Sequence, residues 1–215
     1  MSDTILTLRD GISIRQYRKD DAEEIARHAN NRKIWQNLTD RFPHPYKAED
    51  ALWWINHSND KAQWLSTISP SDSDPSETKE AFEARRAKSM LPTNYAICYL
   101  DKPIGSCGLE LDLKTPRSIS LGYWLGEDFW GRGVATQVAT HFSQWTFEAF
   151  PWIARVEADA YSWNQGSQKV LIKSGFEHEG VQKWKAFKDG KYGDLVLFSK
   201  IRPGFEPVLM TTEEP

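Results

Sequence analysis

The chain has 215 residues, with 27 Lys and Arg against 30 Asp and Glu and a formal net charge of −3. This balance argues against a general nucleic-acid or anionic-membrane surface, because both need a clustered basic excess. No apolar run approaches the roughly 18 residues of a membrane span, and the N-terminal residues lack the basic start and apolar core of a secretory signal. Cys98 and Cys107 lie in strand-like runs without metal-ligand spacing, which predicts buried thiols, no metal site and a cytoplasmic location.

The N-terminal half alternates between short apolar patterns and polar breaks. Residues 12–15 alternate as a first strand, and a helix-start pattern at Asp21 precedes apolar residues at helical spacing. A second helix is predicted from Ala48 to about residue 57, after two prolines. The region near 69–92 is a polar insertion, whose second half, 77–87, predicts an exposed helix.

The next part of the chain predicts three strands in an antiparallel meander, at 95–100, 104–113 and 118–125. A long amphipathic helix then begins after Gly133, because apolar residues recur on one of its faces. Strands that are grouped between helices at both ends indicate an α+β fold. This fold is predicted to be a mixed, mostly antiparallel twisted sheet with helices on its faces.

The C-terminal part predicts further strands of the same sheet. Residues 155–161 form a strand pattern, and 165–174 form a short helix. Two more strands, 176–187 and 194–200, are joined across a hairpin turn signal. The length suits one domain, predicted over residues 1–202, with a polar tail at 203–215.

The passage from the third meander strand into the long helix carries most of the functional information. The strand ends in a short acidic loop, and Gly131-Arg132-Gly133 then opens the helix. Two glycines let the backbone approach a ligand closely, and the first-turn N–H groups have no intrahelical partner. Together with the positive end of the helix dipole, these donors form an anion site suited to a phosphate or pyrophosphate.

A dinucleotide-binding fingerprint does not fit this passage. That motif needs a strand that runs directly into the first glycine, within a parallel βαβ unit. Here the strand ends at Leu125, the strands before it are hairpin-connected, and Thr136 stands where the third glycine belongs.

The glycine loop resembles the GNAT superfamily of acetyl-CoA-dependent N-acetyltransferases. Its hallmark, Gln/Arg-x-x-Gly-x-Gly/Ala, joins the fourth strand to the third helix, and residues 128–133 keep both glycines but have Asp128 at the first position. Residues 122–125 and 130–136 look most like the RimJ/RimL-like branch, whose named members acetylate N-terminal amines of ribosomal proteins.

Two further segments strengthen the resemblance. Residues 164–167 and then 173–176 resemble the Asn-x-x-Ser…Lys-x-Gly-Phe element of the RimJ/RimL-like branch. Residues 37–55 also read like a subset of these enzymes. The three elements occur in the family's order and spacing, and the match runs from about residue 12 to 201.

The resemblance implies acetyl-CoA or coenzyme A as the cofactor. Amides of residues 131–136 would bind its pyrophosphate, and the fourth strand's backbone at 124–126 would pair with its pantetheine arm. An N–H near Leu125 would stabilise the oxyanion of the tetrahedral intermediate, where one such donor is typically worth about 3 kcal/mol. The predicted cofactor-binding residues are Trp124, Leu125, Gly126, Gly131, Arg132, Gly133, Val134, Ala135, Thr136, Asn164, Ser167, Lys169 and Lys173.

Acetyl transfer needs a deprotonated amine and a stabilised leaving thiolate. Asp159 is the first choice as base, because it stands where some GNAT enzymes carry a catalytic Glu; Glu110 is the second. Ser167 is the acid candidate for the thiolate, since it keeps the Ser of Asn-x-x-Ser. Leu171 stands where many GNAT enzymes have a Tyr acid, and Ala186 stands where the RimL-like branch has a Glu.

The function expected from the resemblance is direct attack of a primary amine on the thioester. The acceptor is a small amine, an amino acid or a peptide or protein N-terminus. Aromatic residues between the first two helices and the C-terminal hairpin are the predicted acceptor site: Trp35, Phe42, Tyr46, Trp54 and Trp184. The alternative is a non-catalytic CoA-binding regulatory module of the same fold, and the protein is predicted to be a monomer or a homodimer.

Overall fold

The protein is built around an eight-stranded sheet, and a computed structural model describes residues 3–111, 115 and 117–206. The helices and strands are β1 (Thr4–Thr7), β2 (Ile12–Arg15), α1 (Ala22–Ala29), α2 (Arg32–Trp35), α3 (Ala48–Asn59), β3 (Leu65–Ser66), α4 (Lys79–Lys88), β4 (Met90–Leu91), β5 (Asn94–Tyr99), β6 (Lys102–Leu111), β7 (Ser118–Leu125), α5 (Val134–Ala149), β8 (Arg155–Tyr161), α6 (Gln165–Lys173), β9 (Glu177–Lys188) and β10 (Lys191–Ile201).

The large sheet has the strand order β1-β2-β5-β6-β7-β8-β10-β9, and β3 pairs with β4 separately. Its neighbours pair in the antiparallel sense except β7 and β8, which are parallel. The predicted α+β fold with a mixed, mostly antiparallel sheet is therefore confirmed.

The two parallel strands separate soon after they meet. Their pairing covers Ser118 with Arg155, Ile119 with Val156 and Ser120 with Glu157. Beyond this point β7 continues its pairing with β6, and β8 continues with β10. A gap therefore opens between the C-terminal halves of β7 and β8.

The pairing of β7 with β6, and of β8 with β10, determines which backbone groups face this gap. In antiparallel strands, the N–H and C=O of successive residues point alternately to opposite sides. The Gly126 N–H donates to Ile104 O at 2.8 Å, so even-numbered residues of β7 bond to β6 and the odd-numbered Tyr123 and Leu125 face β8. The Ser162 N–H donates to Asp194 O at 2.8 Å, so the odd-numbered residues of β8 face β7.

Two apolar clusters cover the two faces of the sheet. The larger one packs α5 and α6 against the sheet, with fully buried Phe142 and Leu171 at its centre. The smaller one packs α1 and α3 against the opposite face, around Ile25 and Ile55. Side chains of β7 alternate between these faces, as the period of a strand requires.

Most elements lie where the sequence pattern predicts them, with small differences. β1, α2, β3 and β4 are additional elements, since none has a pattern long enough to predict. α4 begins at Lys79 rather than residue 77, because Thr78 caps it by accepting from the Ala81 N–H at 3.2 Å. The end of the predicted strand 104–113 and residues 207–215 of the predicted tail lie outside the described residues. The single-domain division and the insertion near 69–92 stay predictions.

A close contact fixes the end of β7 where the loop to α5 begins. Gly126 packs directly on the buried ring of His28 in α1, so that an added Cβ would lie 2.4 Å from His28 Nδ1. The His28 ring also contacts Phe129 of the same loop, with the ring centres 5.7 Å apart. Helix α1 therefore supports this loop through the His28 side chain.

We expect Gly126→Ala to lower the free energy of unfolding by about 1–3 kcal/mol, because the methyl group overpacks against His28. Gly122→Ala is the matched control, since an added Cβ there meets no atom within 4 Å. Urea denaturation of both variants measures the difference. Equal stabilities for the two variants would show that the His28 contact does not constrain the loop.

Candidate active site

A cavity of about 890 Å³ opens where β7 and β8 separate. Its walls come from the end of β7, the loop into α5, the first turn of α5, and α6. Of the residues predicted to bind a cofactor, the cavity is lined by Trp124, Leu125, Gly131, Gly133, Val134, Ala135, Thr136, Asn164, Ser167, Lys169 and Lys173. The structure thus brings two separate stretches of the chain to one groove.

The start of α5 has the properties of an anion site. Gly131 and Gly133 have φ values of +73° and +76°, which favour glycine, and an added Cβ at either meets no atom within 4 Å. No side chain caps the helix and its first turn has no acidic residue. The first-turn N–H groups therefore face open space, and the exposed Lys169 and Lys173 line the same cavity from α6.

Ionic contacts hold the loop in front of this helix. Glu127 accepts a hydrogen bond from Asn31 Nδ2 at 2.7 Å and forms an ion pair with Lys33. These contacts lower the pKa of Glu127, with the Lys33 contact the larger cause. Arg132 is exposed and lies over the Phe129 ring, and it does not line the cavity.

The end of β7 offers backbone groups to the groove, but not all three that the sequence suggests. Leu125 O accepts the Trp130 indole N–H at 2.7 Å. The Leu125 N–H faces the gap, because odd-numbered residues of β7 turn away from β6. Trp124 and Gly126 differ from the prediction. Trp124 is an even-numbered residue of β7, so its backbone groups turn to β6. The Gly126 N–H donates to Ile104 O, and the Gly126 C=O accepts from Phe129 N at 3.0 Å. The Gly126 backbone is therefore engaged within the protein.

Tyr123 is a lining residue that the sequence analysis missed. Its hydroxyl oxygen lies 2.9 Å from Ser167 Oγ, and burial raises the pKa of Tyr123 to about 12. The Ser167 N–H donates to Asn164 Oδ1 at 3.1 Å, so Asn164 caps α6. The period of β7 places Tyr123 on the same face as Leu121 and Leu125, and this polar group in an apolar row was the available signal.

The candidate bases lie on the face of the sheet opposite α5 and α6. Glu110 pairs with Ser120, which pairs with Glu157, so these residues share a face, and Asp159 follows on the same face of β8. Glu157 is paired with Arg155 at 2.7 Å.

Asp159 and Glu110 differ in their surroundings. Asp159 is exposed, and its carboxylate forms no hydrogen bond or ion pair with the described residues. Protein atoms crowded around it raise its pKa, with a smaller contribution from the charge of Glu157. Glu110 is exposed and lies 3.6 Å from Arg41. Neither carboxylate is among the residues that line the cavity, and a role for either as the base stays a prediction.

The aromatic residues predicted to bind the acceptor do not line the cavity. Tyr46 is buried in the smaller cluster and stacks on Phe42 at 4.7 Å, while the Trp54 indole donates to the Tyr17 hydroxyl at 3.2 Å. Trp184, in contrast, is 79% exposed. Packing against neighbouring helices thus uses most of this aromatic surface, and an acceptor role for these residues stays a prediction.

A clamp between α2 and the β9–β10 hairpin borders the cavity instead. The buried Lys188 donates to Asp40 Oδ1 at 3.1 Å, and its ammonium lies 4.1 Å from the centre of the Trp35 ring. Arg32 pairs with Asp189 at 2.6 Å. The clamp brings residues from both segments to the cavity wall: Ile34, Gln36, Asn37, Leu38, Lys188, Asp189, Lys191 and Tyr192.

Within the described ranges, no three His, Cys, Asp or Glu side chains are grouped so that they could hold a metal ion. In the same part of the chain, every helix is too short or too polar to cross a membrane.

Comparison with curated sequences identifies relatives of part of the chain. The chain is 27% identical over 100 residues to YoaA, an uncharacterized N-acetyltransferase of Bacillus subtilis strain 168. The aligned part covers 46% of this chain and 56% of YoaA. The chain spans about half the length of the curated relatives it matches.

Solved structures share the fold over most of the chain. The microcin C7 self-immunity acetyltransferase MccE, solved with acetyl-CoA and AMP, has a TM-score of 0.67 at 21% identity, covering 90% of this chain and 94% of that protein. Mycobacterium smegmatis RimJ, solved with a CoA-disulfide, has a TM-score of 0.66 at 19% identity, covering 88% and 81%. These likenesses agree with the fold predicted from the sequence.

The acetyltransferase (GNAT) domain family matches residues 12–177, which include the whole of the cavity's glycine loop and its α6 wall. The family predicted from the sequence is thereby confirmed. With this match over most of its length, the chain belongs to the GNAT acetyltransferase family.

Proposed function

We propose that the protein is an acetyl-CoA-dependent N-acetyltransferase that transfers an acetyl group to a primary amine. The observation that carries this proposal is the meeting, in one cavity, of the α5 N-terminus and the unpaired edge of β7. The first suits a pyrophosphate and the second suits an extended amide chain, and acetyl-CoA contains both.

The residues of the cavity fit this molecule along its length. Space beside Gly131 and Gly133 leaves room for a pyrophosphate on the first-turn amides of α5. Tyr123 would pair its backbone groups with the pantetheine amides, and Lys169 and Lys173 would meet the adenosine phosphates. The neighbours MccE and RimJ, solved with acetyl-CoA and a CoA-disulfide, support the same choice.

The groups around the gap can perform the transfer. Asp159 would accept the proton of the attacking amine, directly or through one water. The Leu125 N–H would donate to the oxygen of the tetrahedral intermediate. When the carbon–sulfur bond breaks, its electron pair goes to sulfur, and Ser167 is the hydroxyl that would meet it from α6.

Asp159 also separates this proposal from the alternative of a non-catalytic CoA-binding module. Ala186 and Leu171 have no titratable group, so the two positions that carry an acid or base in other GNAT enzymes offer none here. An unpaired carboxylate with a raised pKa on β8, the strand that borders the gap, supports the enzyme. The acceptor class, the cytoplasmic location and the monomeric or dimeric state stay predictions.

Gly133→Val is expected to weaken acetyl-CoA binding at least 10-fold, because the branched methyls occupy the space of the pyrophosphate. Gly204→Val is the matched control for backbone strain, since Gly204 has a φ of +72°, an equally open Cβ position and no place in the cavity wall. Isothermal titration calorimetry gives the affinities and thermal melting gives the stabilities. Equal affinity for acetyl-CoA in wild type and Gly133→Val would contradict the proposed site.

Asp159→Asn is expected to lower kcat/KM about 10²–10⁴-fold at neutral pH, because the amide cannot accept the proton. The raised pKa of Asp159 predicts that wild-type kcat/KM falls as the pH drops through that pKa. In the variant, this fall on the acidic side of the pH–rate profile should be absent. A thiol-release screen over polyamines, amino acids, aminoglycosides and N-terminal peptides first supplies an acceptor, and pH–rate profiles then make the test. Glu110→Gln is the matched control, and a collapsed profile for that variant alone would move the role to Glu110.

The same substitution has an expected effect on stability. A pKa raised in the folded state means that ionising Asp159 costs more in the folded than in the unfolded chain. Asp159→Asn should therefore raise Tm at neutral pH, and this gain should disappear below the ordinary pKa of 3.8. A lower Tm at neutral pH would show that the carboxylate stabilises the fold instead.

A further inference from the structure

We propose that Tyr123 positions the Ser167 hydroxyl so that its hydrogen points at the thioester sulfur, an inference that rests on the proposed function. Tyr123 lies on β7 and Ser167 on α6, and both line the cavity. Their hydroxyl oxygens are 2.9 Å apart, which is a hydrogen-bond distance between elements that lie 44 residues apart in the chain.

The chemistry of the two hydroxyls indicates the direction of this bond. A serine hydroxyl has one hydrogen and two acceptor lone pairs, and a phenol is the more acidic donor of the two. Burial raises the pKa of Tyr123 to about 12, so Tyr123 keeps its hydrogen at neutral pH. When Tyr123 donates to Ser167 Oγ, the hydrogen of Ser167 is left for another acceptor.

The position of Ser167 in α6 explains why this orientation needs a partner. Ser167 is the third residue of α6, and its hydroxyl hydrogen rotates about the Cβ–Oγ bond to suit whichever partner is available. The Ser167 N–H is held by Asn164 Oδ1 at 3.1 Å, which fixes the backbone but not the hydroxyl. Tyr123 supplies the contact that holds the hydroxyl towards the cavity.

The orientation matters most as the thioester breaks. The electron pair of the carbon–sulfur bond stays on sulfur, and a hydrogen bond to a charged group is stronger than one to a neutral group. Ser167 would therefore stabilise the leaving thiolate more than the bound thioester, which is the condition for acceleration. Tyr123 acts through Ser167 and is a positioning residue.

The acidity of the coenzyme A thiol bound to the protein tests this without a known acceptor. With protein in excess, chromatography of the coenzyme A adduct gives the rate at which chloroacetamide alkylates the bound thiol, and the dependence of that rate on pH gives the thiol pKa. We expect Ser167→Ala to raise that pKa by about one unit, which corresponds to a tenfold loss of thiolate at a given pH. Tyr123→Phe should raise it by a similar amount while the affinity for coenzyme A by calorimetry stays within about 3-fold.

Two controls distinguish positioning from general damage. Tyr95→Phe makes the same chemical change at a buried tyrosine whose hydroxyl donates to Pro92 O at 2.6 Å in the larger core, away from the cavity, and should leave the thiol pKa unchanged. The double variant Tyr123→Phe/Ser167→Ala should match Ser167→Ala alone, because the Tyr123 hydroxyl acts only through the Ser167 hydroxyl.

An unchanged thiol pKa in Tyr123→Phe would overturn the inference, and so would additive effects in the double variant. In both cases, coenzyme A binding to the wild type by calorimetry would leave the proposed function standing. No binding of coenzyme A to the wild type would overturn the proposed function and the inference together.

Discussion

After Ser120 and Glu157, strands β7 and β8 stop sharing hydrogen bonds, and backbone groups that a sheet would pair face each other across a gap. Backbone N–H and C=O groups in a buried setting require partners, so an opening of this kind needs a ligand, water or side chain to complete it. Because β6 and β10 pair the outer sides of both strands, the groups that face the gap belong to alternate residues. On β7 these are the groups of Tyr123 and the N–H of Leu125, whose C=O already accepts the Trp130 indole N–H. This single departure from regular pairing gives the protein both a groove and a row of ordered donors and acceptors.

The anion site depends on the same opening. α5 begins just beyond the end of β7, and the loop between them is held by Gly126 on His28 and by Glu127 on Asn31 and Lys33. The chain as a whole carries a net charge of −3, so attraction for a phosphorylated ligand is local. It comes from the helix N-terminus and from lysines on α6 rather than from a basic surface.

Local sequence was sufficient for much of the fold and for the glycine loop. The left-handed conformations of Gly131 and Gly133 and the helix after them depend on neighbouring residues, so their pattern predicts them directly. The Tyr123–Ser167 contact and the bond from Lys188 to Asp40 join residues 44 and 148 positions apart, and no local pattern specifies such pairs.

The predicted aromatic acceptor site shows the same limit. Aromatic side chains serve equally well in a core and in a pocket, and composition does not distinguish the two uses. Tyr46 and Phe42 pack against α1 and α3, while Trp184 lies outside on β9. The residues that border the cavity near the hairpin come from a clamp between α2 and the β9–β10 turn, which depends on the tertiary fold.

Amide hydrogen exchange at individual residues, followed by NMR with and without acetyl-CoA, tests the central claim most directly. If the ligand completes the open edge of β7, exchange at Tyr123 and Leu125 slows when acetyl-CoA is added, as does exchange at residues 134–136. The Gly126 N–H, which already donates to Ile104 O, changes little. Equal slowing along residues 123–126, or slowing at 134–136 alone, would contradict an extended ligand paired in the gap between β7 and β8.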